Sequence, residues 1–248
     1  KIPFYFWTFA LGGALLWGIA LLAERFLRQT VPSYQSQMPW AGLFFIGEWH
    51  LLWAAASGME TLLYALLATT VLVLLALGKR NFLLLSSLVG ISLWVRPGGV
   101  TLLGPIIVVA MFSGKTFKEI TQDLFKVGLG FGIFLSLYFF FKLVVTGTPF
   151  PNTFYAKQAE YAFLRELSPF WVRFLAEIEL PLIGAGALLL SGVLFYIWRS
   201  LQQRDMAAFV GIVWFLGYAG IYAWNLPVTY QHGRYMMPTM PIFFLWGL

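Results

Sequence analysis

Three cations and one carboxylate stand beside broken helix ends, and together they have the chemistry to hold a sugar phosphate. Glu60 closes Ser57-Gly58-Met59-Glu60, and Arg96 opens Arg96-Pro97-Gly98-Gly99. Lys157 ends Pro149-Phe150-Pro151-Asn152-Thr153-Phe154-Tyr155-Ala156-Lys157, and Arg234 lies in Tyr230-Gln231-His232-Gly233-Arg234-Tyr235. Arginine suits phosphate because its planar fork donates two parallel hydrogen bonds. A lysine ammonium stabilises a departing phosphate as a point charge. A carboxylate facing a cavity binds a sugar hydroxyl or an ion, and carboxylates near hydrocarbon are costly and rarely idle. His232 has the chemistry of a proton shuttle. The candidate substrate-binding set is Glu60, Arg96, Asn152, Tyr155, Lys157, His232 and Arg234.

Each of these residues also has a plainer role. Ser57 and Glu60 have the spacing of a capping box. Arg96 suits a helix C-terminus or a lipid phosphate. Asn152 suits the cap of a following helix, Lys157 suits the interface as a snorkelling lysine, and a lone histidine in a polar loop is a common surface residue. Glu48 and His50 either pair inside the bilayer or mark a helix break, and no catalytic role is assigned to them. No metal-ligating residues are assigned, since the two histidines, His50 and His232, are far apart in sequence and form no ligand motif, and a divalent-cation requirement is left open. The chain has no cysteine, which excludes disulfides, thiolate metal sites and thiol redox chemistry.

The elements that must position these residues are apolar helices. The chain is 60% hydrophobic and 10% charged, against about 25% charged in a soluble domain. Apolar runs recur along the whole length, so the expected fold is all-α, a polytopic transmembrane helical bundle. A span needs roughly 20 apolar residues, with about 17 tolerated. Nine segments are expected: 3–23, 40–56, 60–77, 82–95, 100–112, 127–145, 180–198, 207–224, and an incomplete one from 238. The two around Arg96 are short, so their turn should be sunk below the lipid surface and lined by protein or a cavity. The chain reads as one domain, 1–248, and as an internal piece of a longer protein.

Nine of the sixteen Lys and Arg fall in four clusters: Arg25/Arg28, Lys79-Arg80, Lys115/Lys118/Lys126 and Arg199/Arg204. Short basic loops stay cytoplasmic. The alternate gaps, which carry every candidate residue named above, then face outward. The net charge of +6 comes largely from these anchors, so nucleic acid is not an expected partner. Membrane lipids are.

The outer connection, 146–179, is the longest. Two short interfacial helices are expected there. The first runs over 152–167, with Tyr155, Ala159, Phe163 and Leu167 on one stripe. The second is capped by Ser168 with Pro169 at its first position, and carries an Arg173/Glu177 i,i+4 pair.

Four pieces taken in order carry a resemblance. They are Ser57-Gly58-Met59-Glu60-Thr61, Arg96-Pro97 with glycine, Gly147-Thr148-Pro149 through Lys157, and Gly233-Arg234-Tyr235 before a proline-containing helix. In this order they resemble bacterial polytopic glycosyltransferases of the GT-C class, in the group of the mycobacterial terminal arabinofuranosyltransferases, from Ser57 to the C-terminus. The resemblance implies transfer of a sugar from a polyprenyl-phosphate donor to an acceptor outside the cytoplasm, at the bacterial plasma membrane. It also implies a catalytic carboxylate base in an outer loop that would precede Lys1. The family turn commonly reads Arg-Pro-acid-Gly, and Gly98 stands here in the acidic position. Two other readings remain open: a non-catalytic subunit of a larger membrane complex, and a lipid or ion transporter. The transporter would show inverted repeats, and none is evident.

Overall fold

In the computed structural model, residues 4–148, 156, 159–226 and 230–248 are described, and every regular element among them is helical. In chain order they are α1 (Phe4–Thr30), α2 (Trp40–Gly47), α3 (Trp49–Ser57), α4 (Thr61–Ala76) and α5 (Phe82–Val95). A 3₁₀ turn (Pro97–Leu102) leads into α6 (Leu103–Met111), then α7 (Phe117–Thr146), α8 (Ala162–Leu167) and α9 (Phe170–Glu179). Two 3₁₀ turns (Leu180–Leu182, Gly184–Leu189) precede α10 (Leu190–Gln203), followed by α11 (Met206–Asn225) and α12 (Tyr230–Gly233). A last 3₁₀ turn (Met237–Thr239) opens α13 (Met240–Gly247).

Among the described residues, four stretches are long and apolar enough to cross a membrane: Tyr5–Thr30, Phe117–Thr146, Gly184–Gln203 and Ala208–Asn225. That is fewer than the nine expected segments. Thr61–Ala76, Phe82–Val95 and Pro97–Met111 are apolar but shorter. The stretch 40–56 is two helices, because Glu48 is extended (φ −72°, ψ 123°) between α2 and α3. One Glu48 oxygen caps α3 by accepting from Leu51 N, and the other lies 2.8 Å from His50 Nδ1. Both side chains are fully buried. Charged residues hid the start of α7, which begins ten residues before the expected span. Its first turn is a capping box: the Thr116 hydroxyl accepts from Glu119 N, while the Glu119 carboxylate accepts from Thr116 N.

α4 is the hub. Tyr64, Ala65, Ala68 and Val71 have no exposure, and the helix packs against α1, α5, α11 and the Met237–Thr239 turn. Small residues set the spacing of its neighbours, as they do where backbones approach closely in membranes. A Cβ on Gly12 would collide with the Ala55 carbonyl, bringing α1 hard against α3. One on Gly90 would lie 2.6 Å from Phe134 Cβ, between α5 and α7.

The charge clusters and the polar motifs occupy opposite ends of the bundle. At one end Phe26, Ala76, Tyr196, Ala208 and Leu245 gather round one small cavity. Nearby, the Lys115 ammonium sits 5.6 Å from the Phe82 ring and pairs with Asp123. At the other end Gly58 meets Thr8, and Arg96 meets both Glu60 and the Arg234 segment.

Two local expectations are corrected. Ser57 does not cap α4: it ends α3, its hydroxyl donating to Ala54 O, because Gly58 takes the left-handed conformation (φ 70°) that stops the helix. Pro169 is the cap residue of α9 rather than its first helical position, and Ser168 caps the C-terminus of α8. In α8, Phe163 and Leu167 of the expected stripe are exposed, while Tyr161 just before it is buried. The beginning of that stripe, at Tyr155, lies outside the described residues.

α9 is also not a helix laid polar side up in an interface. Its charged face points inward: Arg173 is buried and Glu177 has no exposure, while Trp171 and Leu175 are exposed. It packs along α11, with Phe170 against Trp224 and Phe174 against Gly220. The expected Arg173–Glu177 pair is absent, and neither Arg173 Nε, Arg173 Nη1 nor either Glu177 oxygen has a hydrogen-bond partner. Burial pushes the Glu177 carboxyl up to about 8.

Candidate functional site

The end of α3, the α3–α4 turn and the turn after α12 converge on an open cleft of about 390 Å³, lined by Trp53, Ala56, Ser57, Met59 and Arg234. Its lining is apolar on the α3 side, with one guanidinium and one hydroxyl.

Arg96 lies behind the cleft. It is extended (φ −155°, ψ 131°) between α5 and the following 3₁₀ turn, a conformation the next proline favours. Its side chain is only 7% exposed and its Nε is 3.7 Å from Glu60 Oε1. Nη1 donates to the carbonyl of Arg234 at 3.2 Å. The guanidinium also sits 5.0 Å from the centre of the Tyr235 ring, and that of Arg234 sits 5.2 Å from the same ring. One tyrosine therefore carries two cations. Within the turn Arg96 and Gly99 are buried, Gly98 is half-buried and Pro97 is exposed, and a Cβ on Gly99 would collide with Ser92.

Glu60 is the exposed partner. Its side chain is 43% exposed, and it makes no cap bond to α4. Its carboxylate is held near Arg96 at an ion-pair distance, not a hydrogen-bond distance. His232 is exposed and takes the left-handed conformation (φ 57°), followed by Gly233 (φ 66°). Its ring meets Trp53 edge-on at 4.9 Å and Trp49 at 5.2 Å. The structure thus brings Glu60, Arg96, His232 and Arg234 to one end of the bundle. Asn152, Tyr155 and Lys157 lie outside the described residues.

Sequence reasoning passed over an aromatic column beneath the arginines. Tyr235 stacks on Tyr222 at 5.5 Å, Tyr222 lies 4.7 Å from Tyr218, and Tyr218 contacts Trp214 and Tyr64. Trp214, Tyr218 and Tyr222 recur every four residues on α11, a stripe that could have been read. The column grips the Arg96 turn. Tyr64 and Thr101 hydroxyls both donate to Gly98 O, at 3.0 and 2.7 Å, and Trp214 Nε1 donates to Thr101 at 3.0 Å.

Among the described residues no group of three or more His, Asp or Glu stands ready to hold a metal ion. No protein-family profile, curated protein or solved structure matches this chain.

Proposed function

We propose that this chain is an integral-membrane glycosyltransferase of the GT-C class, moving a sugar from a polyprenyl-phosphate donor to an extracytoplasmic acceptor. The cleft carries the reading: an apolar wall of Trp53, Ala56 and Met59 faces Arg234, with the Glu60–Arg96 pair adjoining. A lipid-linked sugar needs that combination, an apolar surface for the prenyl neck and cations for the phosphate. The ordered motifs from Ser57 to Tyr235 resemble the arabinofuranosyltransferase group and support the same chemistry. In the reaction the acceptor hydroxyl attacks the anomeric carbon and passes its proton to a carboxylate base. Polyprenyl phosphate leaves with the bonding pair. Cations beside the phosphate favour the charge that grows on the leaving group. Glu60 is assigned to a sugar hydroxyl, and Lys157 to the phosphate with the arginines.

The cleft end faces outward in this proposal, because the basic clusters gather at the other end. Single cysteines at Ser57, Thr148 and His232 should react with an impermeant thiol reagent from outside, and ones at Gly78 and Gln202 should not. The reverse pattern would invert the topology. For activity, the natural protein in lipid nanodiscs should release polyprenyl phosphate from a polyprenyl-phosphate pentose. Arg234→Gln should slow release about ten- to a hundred-fold, the loss of one charge-assisted hydrogen bond.

One observation favours a second reading, a non-catalytic membrane subunit. Tyr222 crowds the position where the resembled family carries an acid. Binding of the donor without release would favour that subunit, and neither binding nor release would end the donor reading.

A further inference from the structure

We infer that Arg96 is a positioning residue: it pins the turn that presents Arg234 to the cleft, and Arg234 is the cation that a phosphate ester meets there. The assignment of the ligand rests on the phosphate-binding reading above; the pinning does not.

Arg96 is committed to protein on three sides. Nη1 is bonded to the Arg234 carbonyl, Nε faces Glu60, and one face of the guanidinium covers Tyr235. It is 6% exposed and is not among the residues lining the cleft, whereas Arg234 is. A ligand reaching Arg96 would have to displace contacts from two different segments, Glu60 and the Arg234-Tyr235 turn.

The segment it holds needs holding. His232 and Gly233 are consecutive left-handed residues, and His232 has a side chain that makes this conformation costly. Two of the bonds that hold the turn that follows are Met236 N donating to Gly233 O at 2.8 Å and Arg96 donating to Arg234 O. The first is local. The second ties the turn to the end of α5, 138 residues earlier in the chain. Tyr235 completes the clamp, since its ring is fixed on Tyr222 and faces both guanidiniums. Moving Arg96 therefore moves the backbone of Arg234.

Two arms test this. The chain has no native cysteine, so Arg234→Cys gives a single reporter on the turn. Its reaction rate with a charged thiol reagent should change about tenfold when Arg96→Gln is added, the loss of a charge-assisted bond to the turn. Arg96→Lys should bring the rate part of the way back, because an ammonium can still donate to the Arg234 carbonyl. An unchanged rate in a folded Arg96→Gln protein overturns the pinning. If Arg96→Gln does not fold, Arg96→Met, which has no donor for the Arg234 carbonyl, is read in its place, and an unchanged rate there has the same force.

The second arm is a double-substitution cycle on binding of a C55 polyprenyl phosphate in nanodiscs. In the Arg234→Gln background, Arg96→Gln should cost no further affinity. Independent, additive losses would make Arg96 a phosphate ligand and overturn the division of roles. A natural protein that binds no polyprenyl phosphate refutes Arg234 as the phosphate contact and the donor reading with it, while the labelling arm decides the pinning by itself.

Discussion

The hydroxyl of Tyr222 lies 3.0 Å from where a side chain on Gly98 would begin, and that of Tyr218 lies 3.4 Å away. The position where the resembled glycosyltransferases carry an acidic residue is crowded here: the two tyrosine hydroxyls would have to give by a few tenths of an ångström to admit a side chain.

Gly98→Ala should therefore cost roughly 1–3 kcal/mol from crowding alone. Gly98→Asp should cost more, because a charge is buried as well. Pairing either change with Tyr222→Phe should return part of the loss, since the nearest atom is then gone. Thermal unfolding in detergent measures all four proteins. An equally stable Gly98→Asp would show that the column opens readily.

The Glu48–His50 pair should behave as a buried polar unit. Removing one partner strands the other, at a cost of roughly 3–5 kcal/mol. His50→Ala and Glu48→Ala should both lower the unfolding midpoint. Glu48→Gln should be milder, because its amide oxygen can still accept from Leu51 N. Replacing both residues by leucine should cost less than the worse single change. Midpoints of the four variants decide the matter.

Glu177 should make stability fall with rising pH. The unfolded chain gives up this proton near pH 4.5, whereas the folded one keeps it until about 8. Between those values the folded state binds more protons, so stability drops with pH, by at most about 1.4 kcal/mol per pH unit. Below and above the window this contribution is flat. Glu177→Gln should remove the slope and unfold at a higher temperature than the natural protein at pH 8.5. Unfolding midpoints across pH 4 to 9 test it.

Much of the bundle is legible in the sequence because period and charge act locally. α5 has the bounds that its apolar run suggested, and the basic clusters do gather at one end. The errors have a common cause. Ser57 has the spacing of a cap, but Gly58 one residue later decides where α3 stops. Arg173 and Glu177 have the spacing of a pair, but packing on α11 turns that face inward. Local spacing cannot say which side of a helix a distant helix will cover. The contact between Arg96 and the Arg234 carbonyl joins residues 138 positions apart and leaves no trace in either neighbourhood.

The packing of α5 on α7 also sets a timetable. The indole of Trp94 donates to the carbonyl of Phe134, 40 residues further along, and Gly90 seats the same phenylalanine. At about 5–20 residues per second of synthesis, that partner leaves the ribosome some 2–8 s after Trp94. During that interval a 14-residue helix, shorter than a bilayer is thick, has emerged without the surface it was shaped for. Biogenesis of this protein therefore includes a waiting period in which the insertion machinery, not the fold, must shelter α5.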